Sequence, residues 1–163
     1  MCKFRSSLGN VPTPALIIDL AVVKRNIDRL AVYTRTHGIN LRPHTKTHKS
    51  VRIAQMQIDA GAIGLSVAKV GEAEVMATVH SDILIAYPVI DTARTSRVAD
   101  LARAHTVRVA VDTAFGAEAL ATAANRVDAT IGILVDMDIG MHRTGVESPA
   151  AALELAQAID RMT

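Results

Sequence analysis

The sequence has little of several features that would mark particular classes of protein. It contains one cysteine, Cys2, and no tryptophan. A single cysteine allows no disulfide within the chain, so a reducing, cytoplasmic location is the default expectation. No run of about 18 apolar residues occurs, and we therefore predict no membrane span. Residues 1–10 also lack the apolar core of a secretory signal.

The chain also lacks a strong excess of charge of either sign. Its 18 Lys and Arg residues oppose 16 Asp and Glu residues. Because the basic residues are spread out and no aromatic residues lie between them, nucleic-acid binding is disfavoured. Apolar residues are abundant, at 50% of the 163 positions. Length and composition together indicate one globular domain whose alanine-rich helices pack closely on a sheet.

Segments typical of strands and helices alternate along the chain. A first strand is predicted at residues 15–20, followed by a helix at 21–36 that Asp19 could cap and that Gly38 ends. Further strands are predicted at residues 39–42, 62–67, 83–87, 107–111 and 130–137. Helices are predicted at residues 48–60, 69–79, 91–104 and 113–126, and a last helix begins at Ser148-Pro149. This alternation indicates βαβ units and a parallel α/β sheet.

Two parallel architectures fit this pattern, a doubly wound open sheet and a TIM-type (β/α)8 barrel. No G-x-G-x-x-G motif follows the first strand, which disfavours the first. Polar residues follow the predicted strands, where a barrel carries its chemical groups; they are Lys46, Lys69, Tyr87, Asp112 and residues 138–143. We therefore predict a barrel. Because a closed barrel needs eight strands, we expect residues 1–163 to be the first part of a longer, truncated barrel domain.

The segment 41–49, which reads LRPHTKTHK, carries the strongest chemical signal. It puts Lys46 just after a short strand and among other basic side chains, namely Arg42, His44, His48 and Lys49. Neighbouring cations disfavour the protonated form of an amine. A less basic lysine is a better nucleophile toward a carbonyl carbon, and the pattern therefore predicts a Schiff base with the aldehyde of pyridoxal phosphate. The competing interpretation is a solvated surface lysine.

Lys49 is the nearby rival of Lys46. It falls inside the predicted helix 48–60, so we expect it to point away from the site. His44 and His48 have a spacing that could bind zinc on a helix. Since His44 precedes the predicted helix and no His-Glu-x-x-His motif occurs, we predict no metal site in this chain and favour hydrogen bonding around the cofactor.

Arg143 follows two acidic residues and lies between two glycines. It could form a salt bridge with Asp136 or Asp138. A planar, permanently charged guanidinium also suits a phenolate oxygen. The sequence leaves both roles open for Arg143, and the second would place it against a cofactor ring.

Several polar residues near the strand ends have simpler interpretations. Tyr87 could belong to the site, but a packed tyrosine with a satisfied hydroxyl is an equal alternative. Asp112 and Asp138 are predicted to cap helices. Glu72 and Glu74 are predicted to belong to a solvated helix start.

Five segments of the sequence resemble, in order, the N-terminal part of the alanine-racemase-like, fold-type III pyridoxal-phosphate enzymes. The resemblance is greatest to the branch that contains D-threonine aldolase and D-serine dehydratase. The segments are TPA at 13–15 with Leu20, RPHTKTHK at 42–49, GEAE at 71–74, IAYP at 85–88 and DIGMHRTG at 138–145. They span almost the whole chain.

The resemblance implies a barrel followed by a β-rich C-terminal domain. It implies that Lys46 forms the internal aldimine with pyridoxal 5'-phosphate, that Arg143 contacts the cofactor's phenolic oxygen and that His44 lies at the cofactor's edge. It also implies a homodimer, and a divalent metal whose ligands lie beyond this chain, as do the phosphate-binding loops and the last barrel strands.

The activity that the resemblance implies is a lyase reaction on small D-β-hydroxy amino acids. A D-threonine aldolase would cleave its substrate to glycine and an aldehyde. A D-serine dehydratase would instead give a keto acid and ammonia. A non-catalytic protein that binds pyridoxal phosphate, or a fragment with no activity, remains as an alternative of another class.

Overall fold

The computed structural model describes residues 11–162. Within this range the strands are β1 Leu65–Val67, β2 Asp82–Ile85, β3 Thr106–Val111 and β4 Gly132–Val135. The helices are α1 Leu20–Thr36, α2 Val51–Asp59, α3 Val70–Met76, α4 Thr92–Ala102, α5 Ala114–Arg126 and α6 Pro149–Asp160, and a 3-10 helix spans Thr45–Thr47. None of these helices combines the length and apolarity that a membrane crossing needs.

The four strands form one parallel sheet in the order β1-β2-β3-β4. Each strand pairs with the next one along the chain, and a helix makes every crossover between them. A doubly wound sheet would reverse direction at a switch point, and no reversal occurs among the described strands. Sequential parallel pairing is the strand order of a (β/α)8 barrel, of which four strands form a part.

The core lies between the sheet and the helices that cover one of its faces. Alternate residues of β2 and β3 are buried there, because successive side chains of a strand point to opposite faces. Helices α3, α4 and α5 close this layer through Met76, Val98 and Leu120, each at most 2% exposed. The large apolar side chains of the strands belong to the same cluster, which includes Leu65, Val67, Ile83, Ile85, Val107, Val109 and Val111.

The opposite face of the sheet carries a network of charges. Arg42 donates to both carboxylate oxygens of Asp82, at 2.9 and 3.0 Å, and Arg108 donates to the same carboxylate. Two glycines make room for these arginines. A Cβ atom on Gly64 would lie 2.2 Å from Arg42 Nη1, and one on Gly132 would lie 2.9 Å from Arg108 Cγ.

Two of the predicted strands are corrected by the structure. Residues 15–19 are not a strand, and Leu16 is 90% exposed because nothing in the described chain pairs with this segment. Asp19 does cap α1, accepting from the N–H groups of residues 21 and 22. Residues 39–42 run beside β1 without forming a regular strand. Two backbone hydrogen bonds join this part of the chain to β1 and the residues before it, from Ile63 N–H to Leu41 O and from Ser66 N–H to Pro43 O. Pro43 itself lacks the N–H that would extend the ladder.

The predicted helix 48–60 begins later than expected. A 3-10 turn comes first, Lys49 has a φ of 47°, and α2 starts only at Val51. Ser50 sets this start because its hydroxyl accepts from Ile53 N–H at 3.3 Å, which satisfies one of the helix's free donors. The remaining helices and strands are confirmed with their ends shifted by a few residues. The last helix begins with Ser148 as its cap and Pro149 in its first turn, as predicted.

Candidate functional site

Residues 44–49, which we call the lysine turn, lie at the carboxyl end of the strand-like segment beside β1. Thr45 anchors the turn: it is 1% exposed and its hydroxyl donates to Ser66 O at 3.2 Å. The same residue's carbonyl accepts from His48 N–H at 3.2 Å and from Lys49 N–H at 2.8 Å. The turn is thus fixed to the sheet at its start and closed by its own backbone.

Lys46 lies at the centre of this turn and is exposed. Its backbone N–H donates to His44 Nδ1 at 3.3 Å. No carboxylate among residues 11–162 pairs with its amine, whereas Lys49 nearby has such a partner. In the structure, the amine of Lys46 therefore has no ion-pair partner among the described residues, and it lies at the end of the sheet where a barrel carries its catalytic groups.

His44 and His48 use their Nδ1 atoms to accept backbone N–H groups, of Lys46 and Ser50 respectively. Burial lowers the pKa of His44, and the positive charge of Lys46 lowers it further. Burial also lowers the pKa of His48. Both rings are therefore neutral at pH 7. Within the described range no three His, Cys, Asp or Glu side chains gather as a metal site would require.

Lys49 does not point away from the strand ends, as its predicted place in a helix implied. Its left-handed backbone, with φ at 47°, turns it toward α3, where its ammonium forms an ion pair with Glu72. Glu72 also accepts from Ala68 N–H at 2.9 Å and is only 12% exposed, so the prediction of a solvated carboxylate there is wrong. Glu74, by contrast, makes a half-exposed surface pair with Arg97.

Lys49 and Glu72 belong to the wall of a cleft of about 700 Å³ between α3 and α4, which also includes Ala68 and Lys69 after β1. Tyr87 lies in the same cleft and is 38% exposed. Its hydroxyl accepts from Arg94 Nη1 at 2.9 Å and is satisfied, but the side chain is exposed rather than packed, so the site role of Tyr87 stays a prediction.

The loop after β4 carries Arg143, and two aspartates hold it in shape. Asp138 Oδ1 accepts from the N–H groups of Gly140 and His142, at 2.8 and 3.0 Å. Asp112 Oδ2 accepts from Gly145 N–H at 3.1 Å. The prediction that these aspartates cap helices is wrong. They bind loop backbone instead, because the N–H groups of Gly140, His142 and Gly145 have no strand to pair with.

Arg143 itself is exposed, and its guanidinium contacts Met141 Sδ at 3.7 Å. The alternative of a salt bridge with Asp136 or Asp138 is wrong: Asp138 pairs with His142 at 2.8 Å, and Asp136 accepts from Thr144 Oγ1 at 2.9 Å. The N–H groups of Gly140 and His142 hold the pKa of Asp138 below its usual value. Arg143, like Lys46, thus has no carboxylate partner in the described part of the chain.

Lys46 and Arg143 lie at the same end of the sheet but at its two opposite edges. The segment before Lys46 flanks β1, and β4 precedes Arg143. Counted from that segment, β4 is fifth in order, and the first and fifth strands of an eight-stranded barrel face each other across its axis. The structure does not bring the two side chains into contact. It places both at the mouth of the partial barrel.

The charge network of Arg42, Asp82 and Arg108 was not predicted. One signal for it was present in the sequence: Arg108 alternates with valines in the apolar strand 106–111, which directs a charge to the face opposite the core. The Lys49–Glu72 pair had no such signal. It depends on the left-handed residue that ends the lysine turn.

The chain belongs to the family described as "Alanine racemase, N-terminal domain", whose profile matches residues 18–163. It is 36% identical over 151 residues to D-threonine aldolase of Arthrobacter sp, an alignment that covers 92% of this chain and 40% of the relative. The chain thus spans about two fifths of that relative's length. The resemblance inferred from the five sequence segments is confirmed at the level of the family.

Comparison with solved structures supports the same assignment. The crystal structure of D-threonine aldolase from Filomicrobium marinum superposes with a TM-score of 0.89 at 37% identity, over 93% of this chain and 41% of that one. D-threo-3-hydroxyaspartate dehydratase from Delftia sp. HT23 superposes with a TM-score of 0.78 at 34% identity, over 94% and 40%. The predicted fold, a partial alanine-racemase-like (β/α)8 barrel, is confirmed.

Proposed function

We propose that this chain is the N-terminal part of the barrel domain of a pyridoxal-phosphate-dependent lyase that acts on D-β-hydroxy amino acids, of the D-threonine aldolase type. The observation that carries the proposal is the free amine of Lys46, held by an anchored turn at the mouth of the partial barrel. Relatives named D-threonine aldolase, at 36 and 37% identity, support the substrate class.

The side chains at the mouth fit pyridoxal phosphate by their chemistry. An aldehyde needs an amine, and Lys46 offers one without an ion-pair partner in the described chain. A phenolate oxygen needs a cation, and the guanidinium of Arg143 is also free of carboxylates there. The pKa of His44 is lowered by burial and by Lys46, which leaves a neutral ring beside that amine, suited to the cofactor's edge.

The cofactor would supply an electron sink for the electrons of a bond broken at the substrate's α-carbon. The protein's part would be to hold and orient it: Lys46 Nζ would bond to the aldehyde carbon with loss of water, and Arg143 would hold the ring through its phenolate oxygen. The amine of Lys46, when it is not bonded to the cofactor, would be able to accept a proton.

Two lyase reactions differ in where the proton leaves. In an aldolase the proton is removed from the β-hydroxyl oxygen and the bond between Cα and Cβ breaks. In a dehydratase, which the similarity to D-threo-3-hydroxyaspartate dehydratase keeps as the second candidate, Lys46 would remove the α-proton and the β-hydroxyl would leave. A divalent metal would supply Lewis-acid chemistry to either route. We propose that its ligands come from outside residues 1–163.

A third candidate is a protein that binds the cofactor without turnover. It would need only that Lys46 and Arg143 hold the cofactor. Assays of the intact protein separate the three. D-threonine would yield glycine and acetaldehyde with an aldolase, D-serine would yield a keto acid and ammonia with a dehydratase, and neither substrate would react with a binding protein.

We also propose that the intact protein is a cytoplasmic homodimer. Light scattering would test the dimer by measuring the molar mass.

Borohydride reduction tests the covalent attachment directly. The holo-protein is reduced, digested and mapped by mass spectrometry, and we expect the pyridoxyl label on Lys46. Lys46→Arg should lose the label, whereas the matched variant Lys69→Arg, which changes another lysine at a strand end, should keep it. Because Lys46 is exposed, its replacement should change the free energy of unfolding by less than about 0.5 kcal/mol. A pyridoxyl label on a residue other than Lys46 in the wild-type protein would contradict the proposal.

A further inference from the structure

The lysine turn offers two amines at the same strand end, Lys46 and Lys49. They are three residues apart, and both are exposed. An aldehyde could react with either, so a single attachment point requires that the turn distinguish them. This question rests on the proposed function, because it concerns the choice of the amine that the cofactor would use.

Glu72 treats the two lysines differently. One of its carboxylate oxygens pairs with Lys49 Nζ, and the other accepts from Ala68 N–H at 2.9 Å. The carboxylate is 12% exposed, whereas the Lys49 side chain is 59% exposed. Glu72 thus fixes the position of the pair, because the turn between β1 and α3 holds its carboxylate through the N–H of Ala68.

The carboxylate of Glu72 is ionised at neutral pH. Burial raises the pKa of Glu72, but the hydrogen bonds from Lys49 and Ala68 together with the charges of Lys49 and Lys69 outweigh burial and hold the pKa below its usual value. Its negative charge also reaches His44, whose pKa it raises against the larger effect of burial. The same charge therefore acts on both ends of the lysine turn.

The backbone of Lys49 is adapted to this pair. A φ of 47° is uncommon for a residue other than glycine, and it persists only where the surroundings stabilise it. Here two contacts do so: the N–H of Lys49 donates to Thr45 O at 2.8 Å, and its ammonium pairs with Glu72. Because of its left-handed backbone, Lys49 directs its side chain away from the lysine turn and toward α3.

We propose that Glu72 is a positioning residue that occupies Lys49 in an ion pair and so leaves Lys46 as the reactive amine of the lysine turn. Glu72 acts through Lys49 and touches neither the substrate nor the cofactor. It also ties the end of the turn to α3, so that the turn keeps the conformation in which Lys46 is free.

The test compares the labelling of the two amines. The cofactor-free form of the intact protein is treated with acetic anhydride, and in parallel its holo-form is reduced with borohydride. Peptide mass spectrometry then gives the ratio of label on Lys49 to label on Lys46. In Glu72→Gln we expect this ratio to rise roughly 1.5-fold to fivefold, the range that a partly exposed ion pair supports.

The matched control is Glu74→Gln. Glu74 lies on the same helix and its replacement removes the same charge, but its partner is Arg97 on the surface. We expect the labelling ratio of this variant to equal that of the wild type. A role for Glu72 in overall stability alone would change the melting temperature without changing the ratio. An unchanged ratio in Glu72→Gln would overturn the inference.

The two labels separate this inference from the proposed function. If borohydride labels neither lysine, the proposed function fails, while the acetylation ratio still decides the role of Glu72. If Glu72→Gln does not fold by circular dichroism, the wild-type protein is acetylated in about 0.05 M and about 1 M NaCl. Salt screens a half-exposed ion pair, so the ratio should rise with salt in the wild type. A ratio independent of salt would then contradict the inference.

Discussion

Arg42 binds the carboxylate of Asp82 with both of its terminal nitrogens, at Nη1–Oδ1 and Nη2–Oδ2 distances of 2.9 and 3.0 Å. The side chains are 17% and 22% exposed, so the pair lies largely out of water. Arg42 precedes the lysine turn and Asp82 begins β2. This bidentate pair therefore ties the segment that leads to Lys46 to the amino end of β2.

Replacing Asp82 should destabilise the protein in a pH-dependent way. Asp82→Asn leaves two arginines without their carboxylate, and we expect a loss of about 2–4 kcal/mol in the free energy of unfolding at pH 7. Burial raises the pKa of Asp82, but Arg42 and Arg108 outweigh it and hold the pKa below 3.8. A lowered folded-state pKa means that the contribution is complete above pH 3.8 and is lost as the pH falls further.

Urea unfolding of the wild type and Asp82→Asn across this pH range measures the effect. The gap between them should be constant from neutral pH down to the ordinary range of Asp and should narrow below it. Asp28→Asn, which changes an exposed carboxylate on α1, is the control and should shift the free energy by less than about 0.5 kcal/mol. A gap that widened on acidification would contradict the assigned sign.

Gly64 should not tolerate a side chain. A Cβ atom there would lie 2.2 Å from Arg42 Nη1 and 2.6 Å from the backbone oxygen of Asp82, and the backbone oxygen has little freedom to move. We expect Gly64→Ala to cost about 1–3 kcal/mol, as overpacking does. In Gly71→Ala the new Cβ would lie 3.6 Å from Arg97 Nη2, an ordinary contact in a helix, so stability should stay equal or rise slightly. Thermal unfolding of the two variants measures the difference.

Gly145 should matter for the placement of Arg143. Its φ is +101°, and a Cβ atom would lie 2.4 Å from Asp138 N and 2.6 Å from Met137 C. Gly145→Ala should therefore displace the loop and weaken cofactor retention. Gly140→Ala is the matched variant, since Gly140 also has a positive φ, of +123°, but open space around it.

Both glycine variants carry backbone strain of about 1–2 kcal/mol, but only Gly145→Ala adds a clash with backbone atoms. Equilibrium dialysis with pyridoxal phosphate and thermal unfolding should rank wild type above Gly140→Ala and Gly140→Ala above Gly145→Ala. Equal retention by the two variants would show that the loop conformation does not govern the site.

Much of the fold could be predicted because it depends on local patterns. The helices after Asp91, Thr113 and Ser148 begin where a capping side chain accepts a backbone N–H, and such caps are visible in a sequence. The predicted strand at residues 15–20 failed for a physical reason. An apolar segment becomes a strand only when another backbone pairs with it, and none of the described residues does so.

The candidate site likewise has some features that could be predicted from the sequence and others that could not. Lys46 was predicted from its residue type and its position at a strand end, whereas the cofactor role of Arg143 was implied by the resemblance. The structure leaves both side chains without carboxylate partners in the range it describes. The salt bridge once open to Arg143 is excluded because Asp136 and Asp138 are occupied within the loop. The pairing of Glu72 with Lys49 could not be predicted, since the two residues lie 23 positions apart in the sequence.

The sequence by itself determined the alternation of strands and helices, and with it the parallel barrel architecture and the amine at the end of the second predicted strand. Hydrophobic periodicity and capping act over a few residues, so they can be read along the chain. Only the tertiary structure decided which charges neutralise one another. An ion pair such as Lys49–Glu72 depends on one backbone angle and on the approach of two distant segments, and neither is encoded by local pattern.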